Sequence, residues 1–170
     1  FFAMELVKGV PITQYCDDRR LPPRERIDLF VPVCRAVQHA HQKGIIHRDI
    51  KPSNVMLTLH GDKPVVKVID FGIAKAVGES TELTRTGMMV GSPAYMAPEQ
   101  VQGIELDGRS DLFSLGVVLY EMLMHRKPFP ADTLTTLVYQ ILHQDPFESE
   151  TVAGRLHPDL IDLLRWSLAK

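Results

Sequence analysis

The sequence predicts an α+β protein, mainly α, and three observations carry that prediction. Ile27, Phe30, Cys34, Val37 and Ala40 recur at helical spacing between Pro22 and Gly44. "SDLFSLGVVLYEMLM", from Ser110 to Met124, is apolar on nearly every face, as a helix in the middle of a core would be. "VMLTL" and "VVKVID" flank the turn "HGDKP" and read as paired short strands. The chain has 170 residues, enough for one domain with a substantial core. Apolar residues make up 45% and charged residues 24%, and the formal charge is −2. No excess of basic residues points to nucleic acid or an anionic membrane. The longest apolar runs stop short of a membrane span, so no membrane contact is expected within this chain. Cys16 and Cys34 have no metal-ligand spacing and read as reduced cysteines.

The elements follow in order. "FFAMELV" reads as a strand leading to Gly9. A strand needs a neighbour for its hydrogen bonds; with none upstream, Phe1 is taken as a cut rather than a natural start. "ITQYCDD" fits one short helix, and Pro22 and Pro23 suit the first turn of the next. Pro32 lies inside that second helix, where a lost hydrogen bond and a clash cost about 3 kcal/mol, so a kink is expected there. Gly44 is a good terminator. From Gly72 to Val90 the chain is polar and without period, which predicts a long loop of the kind that carries function. Two further helices are expected at about Thr133–His143 and Pro158–Ala169.

"HRDIKPSN" (His47–Asn54) places an imidazole, a guanidinium, a carboxylate, an amine and an amide within eight residues. "DFG" (Asp70, Phe71, Gly72) and "APE" (Ala97, Pro98, Glu99) follow. In this order and spacing the chain resembles the large lobe of a protein kinase, over its whole length from Phe1 to Lys170. The lysine of the first motif and "GSPAYMAPE" are similar to the serine/threonine branch, and "TRTG" and "MELVKGVPI" to its bacterial members.

The resemblance implies a kinase-like C-terminal lobe with short β-hairpins at the catalytic and Mg-binding loops. On this reading residues 1–170 are a partial kinase domain, hinge and large lobe, whose partner is the missing N-terminal lobe of the same protein. The glycine-rich loop, the strand lysine and its glutamate would precede Phe1, and the arginine that pairs with Glu99 would follow Lys170. ATP and Mg²⁺ are the implied cofactors, protein substrates the implied partners, and the cytoplasm the implied location, whether or not the parent chain is membrane-tethered. Asp49 would accept or orient the proton of a substrate hydroxyl, and Lys51 would bring positive charge to the transferred phosphate. Asn54 and Asp70 would offer oxygen ligands to Mg²⁺, a hard cation that prefers them. Arg48, always charged, suits a phosphate on the long loop. There Thr84 and Thr86 match a Thr-x-Thr pair that relatives phosphorylate, and each phosphate would add roughly −1.5 to −2 charges. Met4 would guard the adenine pocket, Glu5 and Val7 would offer backbone groups to the adenine edge, and Met56 would form its floor beside Ile69. His47 and Phe71 would belong to an apolar stack, and Asp111 would hold the catalytic loop by its backbone. His39 and His41 lie two apart, on different helix faces, which argues against a metal pair. The alternative reading is a non-catalytic kinase-like binding module, with a decayed pseudokinase third.

Overall fold

The computed structural model describes residues 7–61, 63–71, 93–147 and 156–170. The segment after Val7 first forms the short strand β1, Val10–Pro11, and turns into helix α1, Ile12–Asp18. β1 pairs antiparallel with β2, Val55–His60, which pairs antiparallel with β3, Lys63–Val68. The sheet order β1-β2-β3 leaves Pro11 on an edge strand, where its missing N–H does no harm. Gly9 lets the backbone come against the Leu57 carbonyl, into which any side chain at this position would run. β2 and β3 are the predicted hairpin, with the second strand beginning two residues earlier and ending two earlier than its apolar pattern suggests.

Helix α2, Pro23–Gln42, is the predicted long helix, with Pro22 and Pro23 at its start. It ends in a Schellman motif: Gly44 takes φ +74°, its N–H donates to His41, and the Ile45 N–H donates to Ala40. The helix runs unbroken through Pro32, which lies on the exposed face, as does Asp28 one turn before it. Water can therefore satisfy the Asp28 carbonyl that the proline leaves without a donor. The buried stripe is Arg26, Phe30, Val33, Val37 and Ala40, while Ile27 and Cys34 flank it half-buried.

Arg26 is almost fully buried. Its guanidinium donates to the carbonyls of Leu21, Met122 and Cys16 and to Asp17 Oδ1, at 2.7–3.1 Å. Four acceptors for one cation are what the interior requires of a buried charge.

Helix α4, Gly108–Met124, is the centre of the core. From Ser110 onward every residue except Leu112 and Glu121 is buried. It packs on α1, on α2, on α3 (Pro98–Gln102), on the 3₁₀ turn Pro93–Tyr95 and on α6 (Pro158–Ser167). Helix α5, Leu134–His143, follows with Thr133 as its N-cap, one residue later than predicted, and α6 ends two residues short of the predicted Ala169. Among the described residues no helix is long and apolar enough to cross a membrane.

Candidate active site

The loop between α2 and β2 carries His47 to Asn54 and closes in the 3₁₀ turn Pro52–Asn54. Lys51 Nζ lies 2.8 Å from Asp49 Oδ2, and Asn54 Nδ2 donates to the same oxygen at 3.2 Å and to the Asp49 carbonyl at 2.9 Å. Carboxylate, ammonium and amide are thus one hydrogen-bonded group. Asp49 has a side chain 45% exposed and faces solvent, while Asn54 is buried. The Asn54 carbonyl in turn accepts from the Ile69 N–H at 2.9 Å, which places the end of β3 and Asp70 beside the loop. His47 donates through Nε2 to the Ile69 carbonyl at 2.9 Å, since a carbonyl can only accept. Its Nδ1 is then the acceptor, and the Asp49 N–H points to it at 3.3 Å. The His47 ring packs on Phe71, centroids 4.7 Å apart.

Two residues here take left-handed backbone without being glycine: Arg48 at φ +67° and Asp70 at φ +57°. Such a conformation costs about 1–3 kcal/mol and persists only where surroundings over-determine it. Around Arg48 the constraint is visible. The Asp111 carboxylate, buried at the start of α4, accepts the N–H groups of His47 and Arg48, each at 2.8 Å. His41 Nε2 braces it from α2 at 2.7 Å, with the imidazole lying against Gly108. On the far side, the Arg48 carbonyl accepts from Gln100 Nε2 at 2.7 Å.

The structure thus brings together Asp49, Lys51 and Asn54, joins them to Ile69 and Asp70, and sets His47, Phe71 and Asp111 around them. Met56 lies half-buried on β2 opposite Pro11 and Lys67. Val7 is half-buried at the start of the described chain. Met4, Glu5, Gly72, Thr84 and Thr86 lie outside the described residues. Arg48 keeps a buried Nε with no acceptor among the described residues. Glu99, expected to be left without its partner, is half-buried and accepts from the Ser110 hydroxyl.

Sequence reasoning missed three polar residues of this frame: His41, Gln100 and Ser110. Spacing within α2 bears only on whether His41 could share a metal with His39, whereas its partner is Asp111, 70 residues on. A cleft of about 420 Å³ between the ends of α5 and α6, lined by His143, Asp145, Arg165 and Lys170 among others, shares no residue with this site.

The sequence profile described as the protein kinase domain matches residues 1–170, and the chain belongs to the protein kinase family. Among its relatives it is similar to the serine/threonine-protein kinase PknB of Mycobacterium leprae, 38% identical across all of this chain and 27% of that protein. PknB of Mycobacterium tuberculosis is 37% identical over the same shares. A probable serine/threonine-protein kinase PknB of Corynebacterium glutamicum is 40% identical over 93% of this chain and 24% of its own length. The chain therefore spans about a quarter of the length of these relatives.

Proposed function

We propose that the protein is a serine/threonine kinase that transfers the γ-phosphoryl group of ATP to hydroxyls of protein substrates, with Asp49 taking the hydroxyl proton. The observation that carries this reading is the hydrogen-bonded set Asp49–Lys51–Asn54, tied through the Ile69 N–H to Asp70. Phosphoryl transfer asks little covalent work of a protein; it asks for position and for charge beside the phosphate oxygens. Asp49 is exposed enough to meet a hydroxyl, and its carbonyl and one carboxylate oxygen are fixed by Asn54. Lys51 supplies positive charge at the atom where the proton arrives and the phosphoryl group passes.

The donor set fits Mg²⁺. With Nδ2 committed to Asp49, Asn54 has its amide oxygen left to offer, and Asp70 adds an exposed carboxylate. One amide and one carboxylate suit a cation that completes its shell with phosphate oxygens and water. When bound, Mg²⁺ neutralises the charge of the triphosphate. In this reading Val7, with Met4 and Glu5 before it, and Met56 and Ile69 form part of the adenine site. No glycine-rich loop or strand lysine of the kinase type is read within residues 1–170, and in this reading these residues alone transfer negligible phosphate. The orphaned Arg48 Nε suits an anion, and phosphorylated Thr84 or Thr86 would supply one. A cytoplasmic location goes with ATP as the donor.

The test compares phosphate transfer from ATP by the full-length protein and by its Asp49→Asn variant. Loss of a general base lowers kcat by about 10²–10⁴-fold. Equal rates would remove Asp49 from the mechanism and favour the binding-module reading.

A further inference from the structure

We propose that Gln100 is a positioning residue for the catalytic loop, the link by which α3 sets the orientation of Asp49. This rests on the reading of Asp49 given above.

The inference begins from the hydrogen-bonding capacity of a single buried amide. Gln100 is the third residue of α3, and its Oε1 accepts the Ala97 N–H at 2.9 Å, the reach-back of a capping box. Ala97 has no side-chain oxygen to return the bond, so only that half of the box exists. With the oxygen so employed, Nε2 must face the other way, and it donates to the Arg48 carbonyl at 2.7 Å. Each partner dictates one end of the amide, so its orientation is not open to a flip.

The Arg48 carbonyl and the Asp49 N–H belong to the same peptide plane. Gln100 holds one edge of that plane, and His47 Nδ1 faces the other at 3.3 Å. Asp111 holds the two preceding N–H groups. Because Arg48 sits at φ +67°, the plane after it would turn readily toward an unstrained conformation if released, and Asp49 would turn with it. Among the described residues, Gln100 supplies the hydrogen bond to this plane that comes from outside the catalytic loop. One amide thus joins α3 to the loop that carries Asp49, so seating α3 and aligning Asp49 become one event.

The experiment uses two variants in the full-length protein. Gln100→Glu keeps shape and keeps the acceptor for Ala97, but sets a second carboxylate oxygen against the Arg48 carbonyl. Protonating that carboxyl restores a donor, and burial favours the protonated form. Gln100→Met keeps length and removes both bonds. We expect both to lower kcat by about 10- to 100-fold near neutral pH, the scale of a misplacement of about 1 Å. KM for ATP should stay within about twofold, since the bond acts on the reacting group and not on the nucleotide.

The ratio of Gln100→Glu to wild-type kcat should rise as pH falls from about 8 to about 6, while the Gln100→Met ratio stays flat. Taking the ratio cancels titration of the ionisable groups around this plane: Glu99 on α3, His47, Arg48, Asp49 and Lys51 on the loop, Asp111 on α4 and His41 on α2. The Asp49 amide should also exchange faster with solvent in folded Gln100→Met.

The proposal is overturned if both variants keep wild-type kcat while Asp49→Asn has lost transfer. It is equally overturned if their loss tracks a lower melting temperature with a flat pH ratio and unchanged Asp49 exchange. Should Asp49→Asn retain transfer, the functional reading falls instead, and the Asp49 exchange in Gln100→Met still decides whether Gln100 holds the loop.

Discussion

Asp111→Asn is the smallest change that probes the frame, because it exchanges one oxygen for an NH₂ group and leaves the shape of the side chain nearly unchanged. All three partners of the carboxylate are donors: the N–H groups of His47 and Arg48, and His41 Nε2. Oδ1 serves Arg48 and Oδ2 serves the other two. An asparagine has one acceptor oxygen, and whichever way the amide turns, its NH₂ confronts at least one backbone N–H. Turned to spare the pair on Oδ2, it loses Arg48; turned the other way, it loses His47 and keeps His41 only through a change of imidazole tautomer. The lesser loss is one hydrogen bond to a charged group, about 1.5–3 kcal/mol, with a buried donor left facing a donor at about 1–3 kcal/mol. The expected destabilisation is therefore about 3–5 kcal/mol. For a domain of this size each kcal/mol moves the melting temperature by about 2–4 °C, so the full-length variant should melt about 10 °C lower. Circular dichroism reads the shift, and a phosphate-transfer assay well below the melting range should show kcat reduced as well. A variant melting within about 2 °C of wild type, with its kcat intact, would refute the claim that this carboxylate maintains the Arg48 conformation.

Arg26→Met removes the guanidinium that, among the described residues, is the side-chain donor to the carbonyls of Leu21, Cys16 and Met122. Because Asp17 is half-exposed and stays hydrated, the cost lies in the carbonyls, about 2–3 kcal/mol, read as a lower urea midpoint with an unchanged slope. The thiols make a separate test. Burial pushes Cys16 from 9.0 up to about 11, with nearby Arg26 only partly opposing it, and burial raises Cys34 too. Below both values the Cys16 thiolate is about a hundredfold scarcer folded than unfolded, so a thiol reagent at neutral pH should label it only after unfolding in urea. Since the folded value is the higher one, the stability it contributes is complete below pH 9.0 and is lost as pH rises toward about 11. Rapid labelling of Cys16 in the folded protein would contradict its burial.

What could be read from the sequence was whatever local pattern dictates. The α2 periodicity, its Gly44 stop and the apolar α4 depend on neighbours within one or two turns, and each lies where predicted. The order of Asp49, Lys51 and Asn54 was equally visible, because one loop carries them all. Arg26 was not, since a cation on a core stripe looks like an error until its four acceptors are assembled from α1, α4 and the turn before it. Nor were the left-handed Arg48 and Asp70, whose residue types do not announce positive φ as glycine would. His41 and Gln100 act on partners 70 and 52 residues away, a distance over which spacing carries no information. Cys34 shows the limit in the other direction. Its spacing placed it in the core, but the stripe runs through Arg26 and Val33 instead and leaves Cys34 at the margin.

The same accounting explains why the most deeply buried helix carries buried polar residues where it begins. Ser110, Asp111 and Ser114 occupy one turn of α4, and each serves a different neighbour. Ser110 donates to Glu99 on α3, Asp111 accepts from the His47–Asn54 loop, and Ser114 donates to the Tyr95 carbonyl in the turn before α3. Gln100 then joins α3 directly to that loop. The three bodies are therefore connected pairwise: α4 to the loop, α4 to α3, and α3 to the loop. Two bonded pairs would leave a hinge, whereas a closed triangle fixes all three relative positions at once. A strained Arg48 needs such closure, because relaxation at any open corner would release the conformation that orients Asp49. Apolar packing holds α4 in place without direction. The polar turn at its start converts that anchored position into one orientation for the loop.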